Sequence, residues 1–239
     1  MPGTYTEAQI AATIDHAVLK PDFTRTDVDR ELDIAAEWGV WSACVRPSDV
    51  GYAVKRLDGS GVRVCTVIGF PHGTTSTATK VAELRRAQDD GATEFDMVLH
   101  IGALRSGEDA YVRDDIAAVV EAAGSFVSKV ILETSYLDDE QIARGSRLTE
   151  AGGATFVKTS TGFAGGGATV EHVRLMRESV SPAVQVKASG GVRGLDAAFA
   201  MLDAGATRLG TSASATILGE LRARLAGEEA SGAEDAGSY

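Results

Sequence analysis

Two lysines, Lys158 and Lys187, lie within apolar, strand-like runs of the chain. The sequence holds six lysines against 17 arginines, so a general-purpose cation in this chain would more often be arginine. An amine can form an imine with a carbonyl compound, whereas a guanidinium cannot. Burial also disfavours the charged form of a lysine and increases the fraction of nucleophilic free amine. The pair therefore indicates covalent lysine catalysis.

Short β-like runs alternate with amphipathic helical stretches along the chain, which predicts repeated βα units. The predicted strands are Thr13–Val18, Val40–Val45, Val62–Ile68, Thr93–Leu99, Lys129–Thr134, Ala154–Thr159, Ala183–Ala188 and Thr207–Gly210. The predicted helices are Asp27–Trp38, Thr77–Asp90, Asp109–Ala123, Asp139–Ala151, Val170–Ser179, Gly194–Ala204 and Ser214–Ala226. Eight units in 239 residues favour a single-domain α/β fold, the (β/α)8 TIM barrel, over residues 1–226. No Gly-x-Gly-x-x-Gly follows the first strand, which argues against a doubly wound sheet.

Side chains alternate between the barrel interior and the helix layer along each strand. This alternation places Lys158, Lys187 and Asp96 on the inward face, where the carboxyl ends of the strands form the active-site mouth of such barrels. A cation about 6 Å from Lys158 would contribute roughly 2.8 kcal/mol at an effective dielectric constant of about 20, favouring its free amine. Further inward groups are expected at or near the strand ends: Asp15, Ser42, Cys44 and Glu133.

Small residues follow each of the last three strands, where barrels commonly bind phosphate through backbone N–H groups and a helix start. The candidate phosphate ligands are Thr161, Gly162, Gly190, Gly191, Gly210 and Ser212. The sequence thus predicts a phosphorylated small-molecule substrate.

Composition excludes several function classes. A net charge of −11 and a pI near 4.8 argue against nucleic acid or an anionic membrane as partner. Cys44 and Cys65 lie in predicted strands without metal-ligand spacing, so neither a metal nor a structural disulfide is expected. The lack of a signal-peptide pattern or a long apolar stretch suggests a soluble cytoplasmic protein. Residues 227–239 are predicted to form a mobile tail, since they are rich in Ala, Gly, Ser and acids.

The chain resembles the deoxyribose-phosphate aldolases, a family of class I aldolases, over nearly the whole predicted barrel. The most specific matches are Lys-Thr-Ser-Thr-Gly at 158–162 and Lys-Ala-Ser-Gly-Gly-Val-Arg at 187–193. Further matching segments are Ile14–His16, Leu19–Pro21, Ala43–Val45, Val67–Pro71, Glu94–Val98, Lys129–Thr134, Phe156–Phe163 and Arg208–Ser212.

The resemblance implies reversible cleavage of 2-deoxy-D-ribose 5-phosphate to D-glyceraldehyde 3-phosphate and acetaldehyde, without metal or other cofactor. Lys158 would form the Schiff base, and the charge of Lys187 would favour its free amine. Asp96, assisted by Asp15 and a water molecule, would move the protons. Gly162, Gly190, Gly191 and Ser212 would hold the phosphate. Barrels of this type often pair through helix faces, which leaves a homodimer open.

Alternatives stay open at several positions. Asp15 could cap the turn after its strand instead of acting in catalysis. Cys44 is interpreted as a small residue that lines the site and not as a nucleophile. Arg46, His72 and His100 depart from the usual family pattern at the predicted rim and bear on substrate preference. Tyr239 is a candidate to fold over the mouth and assist proton transfer. A lysine aldolase for another phosphorylated aldehyde or ketose would share these residues, and a non-catalytic sugar-phosphate binder is the other alternative.

Overall fold

Eight parallel strands close into one barrel, in sequence order, in a computed structural model that describes residues 5–228. The strands are β1 Ile14–Val18, β2 Ser42–Val45, β3 Arg63–Ile68, β4 Glu94–Val98, β5 Val127–Ile131, β6 Phe156–Lys158, β7 Gln185–Ser189 and β8 Arg208–Thr211. β1 pairs with both β2 and β8, so the sheet has no edge. The predicted (β/α)8 barrel is confirmed.

The helices form the outer layer between consecutive strands. They are α1 Glu7–Ala11, α2 Arg25–Glu37, α3 Val50–Arg56, α4 Thr77–Asp89, α5 Ile101–Arg105, α6 Asp109–Ala123, α7 Asp139–Ala151, α8 Val170–Ser179, α9 Leu195–Asp203 and α10 Ser214–Ala226. Two short 3₁₀ turns, Pro47–Asp49 and Thr134–Tyr136, complete the described elements. The sequence patterns did not predict α1, α3 and α5, which have only five to seven residues each.

Local side-chain chemistry fixes where several helices begin. Thr24 accepts from the backbone N–H of Asp27, and the Asp27 carboxylate accepts from the backbone N–H of Thr24. Asp138 and Gln141 form the same reciprocal arrangement at the start of α7. Such capping boxes satisfy N–H groups that have no partner inside the helix.

The strands have two different faces. Phe95 and Met97 of β4 point outward into the apolar layer between barrel and helices, as the alternation predicts. Asp96, between them, is fully buried inside the barrel. Branched aliphatic side chains usually fill such interiors. Here charged side chains occupy much of that space, and each must be paired to remain ionised there.

The fifth strand differs from its predicted bounds. It begins at Val127 and ends at Ile131, so Glu133 follows the strand rather than ending it. Glu133 adopts a left-handed backbone conformation with φ of 59°. Lys129 lies in the middle of this strand and is fully buried.

The last helix ends at Gly227, which has a left-handed φ of 76° typical of a helix C-terminus. Of the predicted tail, residues 229–239, including Tyr239, lie outside the described residues. Within residues 5–228, none of the helices has the length and apolar character needed to span a membrane.

Candidate active site

One carboxylate, Asp96, joins three lysines inside the barrel. Its Oδ2 atom lies 2.7 Å from Lys158 Nζ and 2.8 Å from Lys187 Nζ, and its Oδ1 atom lies 2.8 Å from Lys129 Nζ. Lys158 and Lys187 are register partners on β6 and β7. All four side chains are at most 3% exposed. The structure therefore brings together the two lysines and the carboxylate predicted from the sequence.

Asp15 lies below this cluster and completes it. It accepts hydrogen bonds from Ser42 Oγ at 2.7 Å and from Arg208 Nη1 at 2.8 Å, and it forms an ion pair with Lys187. Asp15 was expected at or near the carboxyl end of its strand, but it is the second residue of β1, so this expectation is wrong. Its carboxylate is held by these side chains inside the barrel and does not cap a turn.

The charges of the cluster set its protonation state. Burial alone would raise the pKa of Asp96, but Lys129, Lys158 and Lys187 outweigh burial and hold it well below the usual 3.8. Burial likewise opposes the low pKa of Asp15, which Lys187, Lys129 and Arg208 produce. Burial favours neutral Lys187, but Asp15 and Asp96 raise its pKa above the usual 10.5. Asp15 and Asp96 are thus carboxylates, and Lys187 is a cation, at neutral pH.

Lys129 and Arg208 are site residues that the sequence analysis missed. Lys129 Nζ lies 2.7 Å from Glu94 Oε2 and 3.6 Å from Asp15 Oδ2, and Arg208 Nη1 lies 3.3 Å from Glu94 Oε2. The signal for Lys129 was the one used for the other two lysines, a lysine inside an apolar strand-like run. The linked ion pairs join three carboxylates and four cations: Asp15, Glu94, Asp96, Lys129, Lys158, Lys187 and Arg208.

Cys44 and Cys65 form the neighbouring wall of the barrel. They are register partners on β2 and β3 and are free thiols. The contact with Cys65 lowers the pKa of Cys44, while burial raises the pKa of Cys65. Cys65 Sγ lies 3.3 Å from Asp96 Oδ1 and 3.4 Å from Lys129 Nζ.

A small niche between the loops after β7 and β8 contains part of the predicted phosphate site. Its volume is about 10 Å³. Three of the predicted phosphate ligands line it: Gly191, Gly210 and Ser212. Arg193, an exposed cation that was not among the predicted ligands, also lines it. Gly191 has a φ of 78°, a left-handed conformation that favours glycine.

The other predicted phosphate ligands occupy different positions. Gly190 packs closely against Gly167 in the loop before α8. A Cβ atom added to Gly167 would lie only 2.3 Å from the carbonyl oxygen of Gly190. Thr161 donates its backbone N–H and its hydroxyl to Glu133. Gly162 follows Thr161 with a φ of 86°. These three residues do not line the niche in the structure.

A buried histidine holds the helix that follows the niche. His16 Nδ1 lies 2.7 Å from the hydroxyl of Ser214, the first residue of α10, and Nε2 lies 3.1 Å from Glu31 Oε2. The backbone of His16 is also paired with Thr211 of β8. His16 thus fixes the start of α10 relative to the loop that contains Ser212.

A larger cavity of about 420 Å³ opens beside the cluster, over the loops after β3 to β6. Its lining residues are Pro71, His72, Thr74, Ile101, Gly102, Arg105, Glu133, Tyr136, Thr161, Phe163 and Ala164. Burial raises the pKa of Glu133 against the opposing effect of its hydrogen bonds from Thr161. The cavity gives small molecules room beside the strand ends.

The three departures from the usual family pattern have different environments. Arg46 binds Asp49 at 2.6 Å and the carbonyl oxygens of Lys20 and Phe23, so it fixes loops. His100 caps α5 by accepting from the N–H of Ala103. Of the three, His72 alone lines the larger cavity.

A closed barrel with buried lysines around a shared carboxylate defines the class: it provides the groups that a lysine-dependent aldolase needs. A family model described as DeoC/LacD family aldolase matches residues 9–218. The chain belongs to this family.

Individual relatives agree over most of the chain. Deoxyribose-phosphate aldolase 2 of Staphylococcus aureus is 54% identical over 213 residues, which are 89% of this chain and 97% of the relative. The solved structure of an aldolase named QR15 is 39% identical, with a TM-score of 0.86 and coverage of 91% and 98%. Deoxyribose phosphate aldolase from Aeropyrum pernix, described as having a unique tetrameric structure, is 31% identical with a TM-score of 0.85 and coverage of 92% and 93%.

Proposed function

We propose that this chain cleaves 2-deoxy-D-ribose 5-phosphate reversibly to D-glyceraldehyde 3-phosphate and acetaldehyde through a Schiff base on Lys158. The observation that carries the proposal is the shared Asp96 Oδ2 atom between Lys158 and Lys187. The similarity to deoxyribose-phosphate aldolases supplies the substrate.

The chemistry starts at the amine of Lys158. The free amine attacks the C1 aldehyde of the open-chain sugar, and loss of water gives an iminium ion. The iminium accepts the electron pair of the C2–C3 bond when the C3 hydroxyl loses its proton. The C3–C5 fragment leaves as the phosphorylated aldehyde, and an enamine remains on the lysine. Protonation at C2 and hydrolysis then release acetaldehyde and the free amine.

The neighbouring groups have matching roles in this proposal. Asp96 is ionised and can accept a proton, directly or through a water molecule. Asp15 is also ionised and assists by its ion pair with Lys187. Lys187 is charged and lies against the same carboxylate oxygen as Lys158, so it can donate a proton to the reacting substrate. Cys44 is a small residue that lines the site near Lys187 and Lys158.

The substrate phosphate would bind at the niche between the loops after β7 and β8. Gly191, Gly210 and Ser212 line the niche and lie just before the starts of α9 and α10, where helix dipoles favour an anion. Arg193 adds a cation. Gly162 and Gly190 would support this site through the loop after β6. The expected ligands are therefore small phosphorylated aldehydes and sugars.

Borohydride reduction tests the proposal. The protein is incubated with 2-deoxyribose 5-phosphate or acetaldehyde, reduced, digested and mapped by mass spectrometry. We expect an adduct on Lys158 that is absent from Lys158→Arg, with the exposed Lys55 reporting non-specific alkylation. Labelling of Lys55 and Lys158 to the same extent would contradict the proposal. Sugar-phosphate binding without an adduct would indicate a binding protein.

A further inference from the structure

The two cysteines of the chain face each other beside the candidate active site. Cys44 and Cys65 are 2% and 0% exposed. Their Sγ atoms and a carboxylate oxygen of Asp96 all lie within 4.8 Å of one another. The proposed Schiff-base chemistry uses neither thiol as a reacting group. Two thiols and a carboxylate at this separation resemble part of a metal-binding set.

We propose that Cys44 and Cys65 bind one thiophilic divalent cation, such as Zn²⁺ or Cd²⁺, with Asp96 as the third ligand. Zinc–sulfur bonds of about 2.3 Å in tetrahedral geometry place two sulfurs about 3.8 Å apart. The sulfurs here lie within 4.8 Å, so small rotamer changes bring both to one ion. A fourth position remains for water.

The strand register holds the two thiols side by side. Register partners on neighbouring strands have Cα atoms about 4.8 Å apart, which lies within the disulfide range of about 4.4–6.8 Å, so the test below is made on the reduced chain. Cys44 and Cys65 are such partners in the middle of a closed sheet. An ion between the sulfurs would leave the spacing of β2 and β3 unchanged.

The charge balance permits the ion within the cluster. Binding to two neutral thiols releases two protons, so two thiolates offset the two charges of the cation. The net charge inside the barrel is therefore unchanged. The ion must share Asp96 Oδ1 with Lys129, now at 2.8 Å, or displace that amine.

The consequence is competition for Asp96. A cation bound to Oδ1 draws negative charge from the carboxylate, which weakens its contacts with Lys158 and Lys187 at Oδ2 and its capacity to accept a proton. On the function proposed above, occupancy by the cation suppresses the lysine reaction. The adduct yield on Lys158 should fall in proportion to the fraction of protein that holds the ion.

A cadmium titration of the reduced full-length chain tests the site independently of activity. The chain has two cysteines, so an ultraviolet sulfur-to-cadmium band reports on this pair. We expect saturation at one ion per chain with release of two protons, and loss of the two-thiolate band in Cys65→Ser. No band at equimolar cadmium, or an equal band in Cys65→Ser, would overturn the proposal.

A second measurement on the unchanged chain covers failure of that variant to fold. Both thiols are buried, so alkylation by iodoacetamide is followed by mass spectrometry in urea near the unfolding midpoint, where the chain opens transiently, and bound cadmium should slow it at both cysteines. Alkylation of both at an unchanged rate would also overturn the site. If metal-free protein gives no adduct on Lys158, the proposed function fails while the cadmium band and the protection still decide the metal site.

Discussion

Replacing Lys129 with methionine removes one cation from the centre of the ion-pair cluster and keeps most of the side-chain volume. Lys129 Nζ lies 2.7 Å from Glu94 and 2.8 Å from Asp96, and all three side chains are at most 2% exposed. Removing one partner of a buried ion pair costs about 3–5 kcal/mol, because it leaves an uncompensated charge. We expect Lys129→Met to lose stability by this amount.

The chain offers a matched control in Lys80. Its Nζ lies 2.6 Å from Asp115 Oδ2, and both side chains are fully buried between α4 and α6. Lys80→Met should therefore lose a similar free energy of unfolding. Lys80 makes no ion pair with the Asp96 cluster, so this loss should come without a specific effect on catalysis.

The two variants are compared by urea unfolding and by steady-state aldol cleavage at a temperature where both are folded. Lys129→Met should also lower kcat by up to about 10²-fold, because Asp96 is no longer held in position and displacements of about 1 Å can cost that much. Lys80→Met should keep kcat near that of the unchanged chain. Equal kcat values for the two variants would refute the reasoning.

The same variant has a defined pH dependence. An acid whose folded pKa is depressed contributes stability above its unfolded pKa and loses it as the pH falls through the folded value. Lys129 helps to hold the pKa of Asp96 well below 3.8 against the effect of burial, so its removal raises that pKa. Acid unfolding of Lys129→Met, followed by circular dichroism, should begin at a higher pH than in the unchanged chain.

Three further predictions concern single side chains around the mouth. Burial raises the pKa of Glu133 above 4.5, so its ionised form destabilises the fold at higher pH. Glu133→Gln should therefore raise the Tm at pH 7.5 but not below pH 4.5. An equal gain in Tm at both pH values would contradict this cause. A Cβ at Gly210 would lie 2.8 Å from Ser189 Cβ and 3.1 Å from Lys187 Cε. Gly210→Ala should therefore displace Lys187 and lower kcat by up to about 10²-fold. An unchanged kcat would show that Lys187 can move without loss of activity. His16→Asn should raise the KM for 2-deoxyribose 5-phosphate but not for unphosphorylated 2-deoxyribose, whereas equal changes for both sugars would indicate a general loss of structure.

The eight repeated βα units predicted the barrel, and the alternation of strand side chains predicted the inward positions of Lys158, Lys187 and Asp96. It could not predict which partners share an oxygen atom, because contacts across the barrel depend on how far each strand is staggered against the next. Asp15 illustrates this limit. It lies early in its strand, yet it contacts Lys187 and Arg208 from distant parts of the sequence.

Short and irregular segments were also not predicted from the sequence. A helix of five residues such as α5 is too short for a clear amphipathic period, and His100 fixes its start by an N-cap that histidine seldom provides. The rim position expected for His100 and Arg46 followed from their place after a strand. Their side chains instead satisfy loop backbone and neighbouring carboxylate groups, which sequence spacing does not reveal.

The number of salt bridges that each cation makes singles out Lys158 within the cluster. Lys129 forms ion pairs with three carboxylates, and Lys187 and Arg208 each form two. Lys158 forms one, with Asp96. Lys158 is therefore the cation with the fewest ion-pair partners in the cluster. Each ion pair fixes a side chain in place, so the amine with the fewest such contacts is the one that can most readily approach a substrate, in keeping with the Schiff base proposed on Lys158.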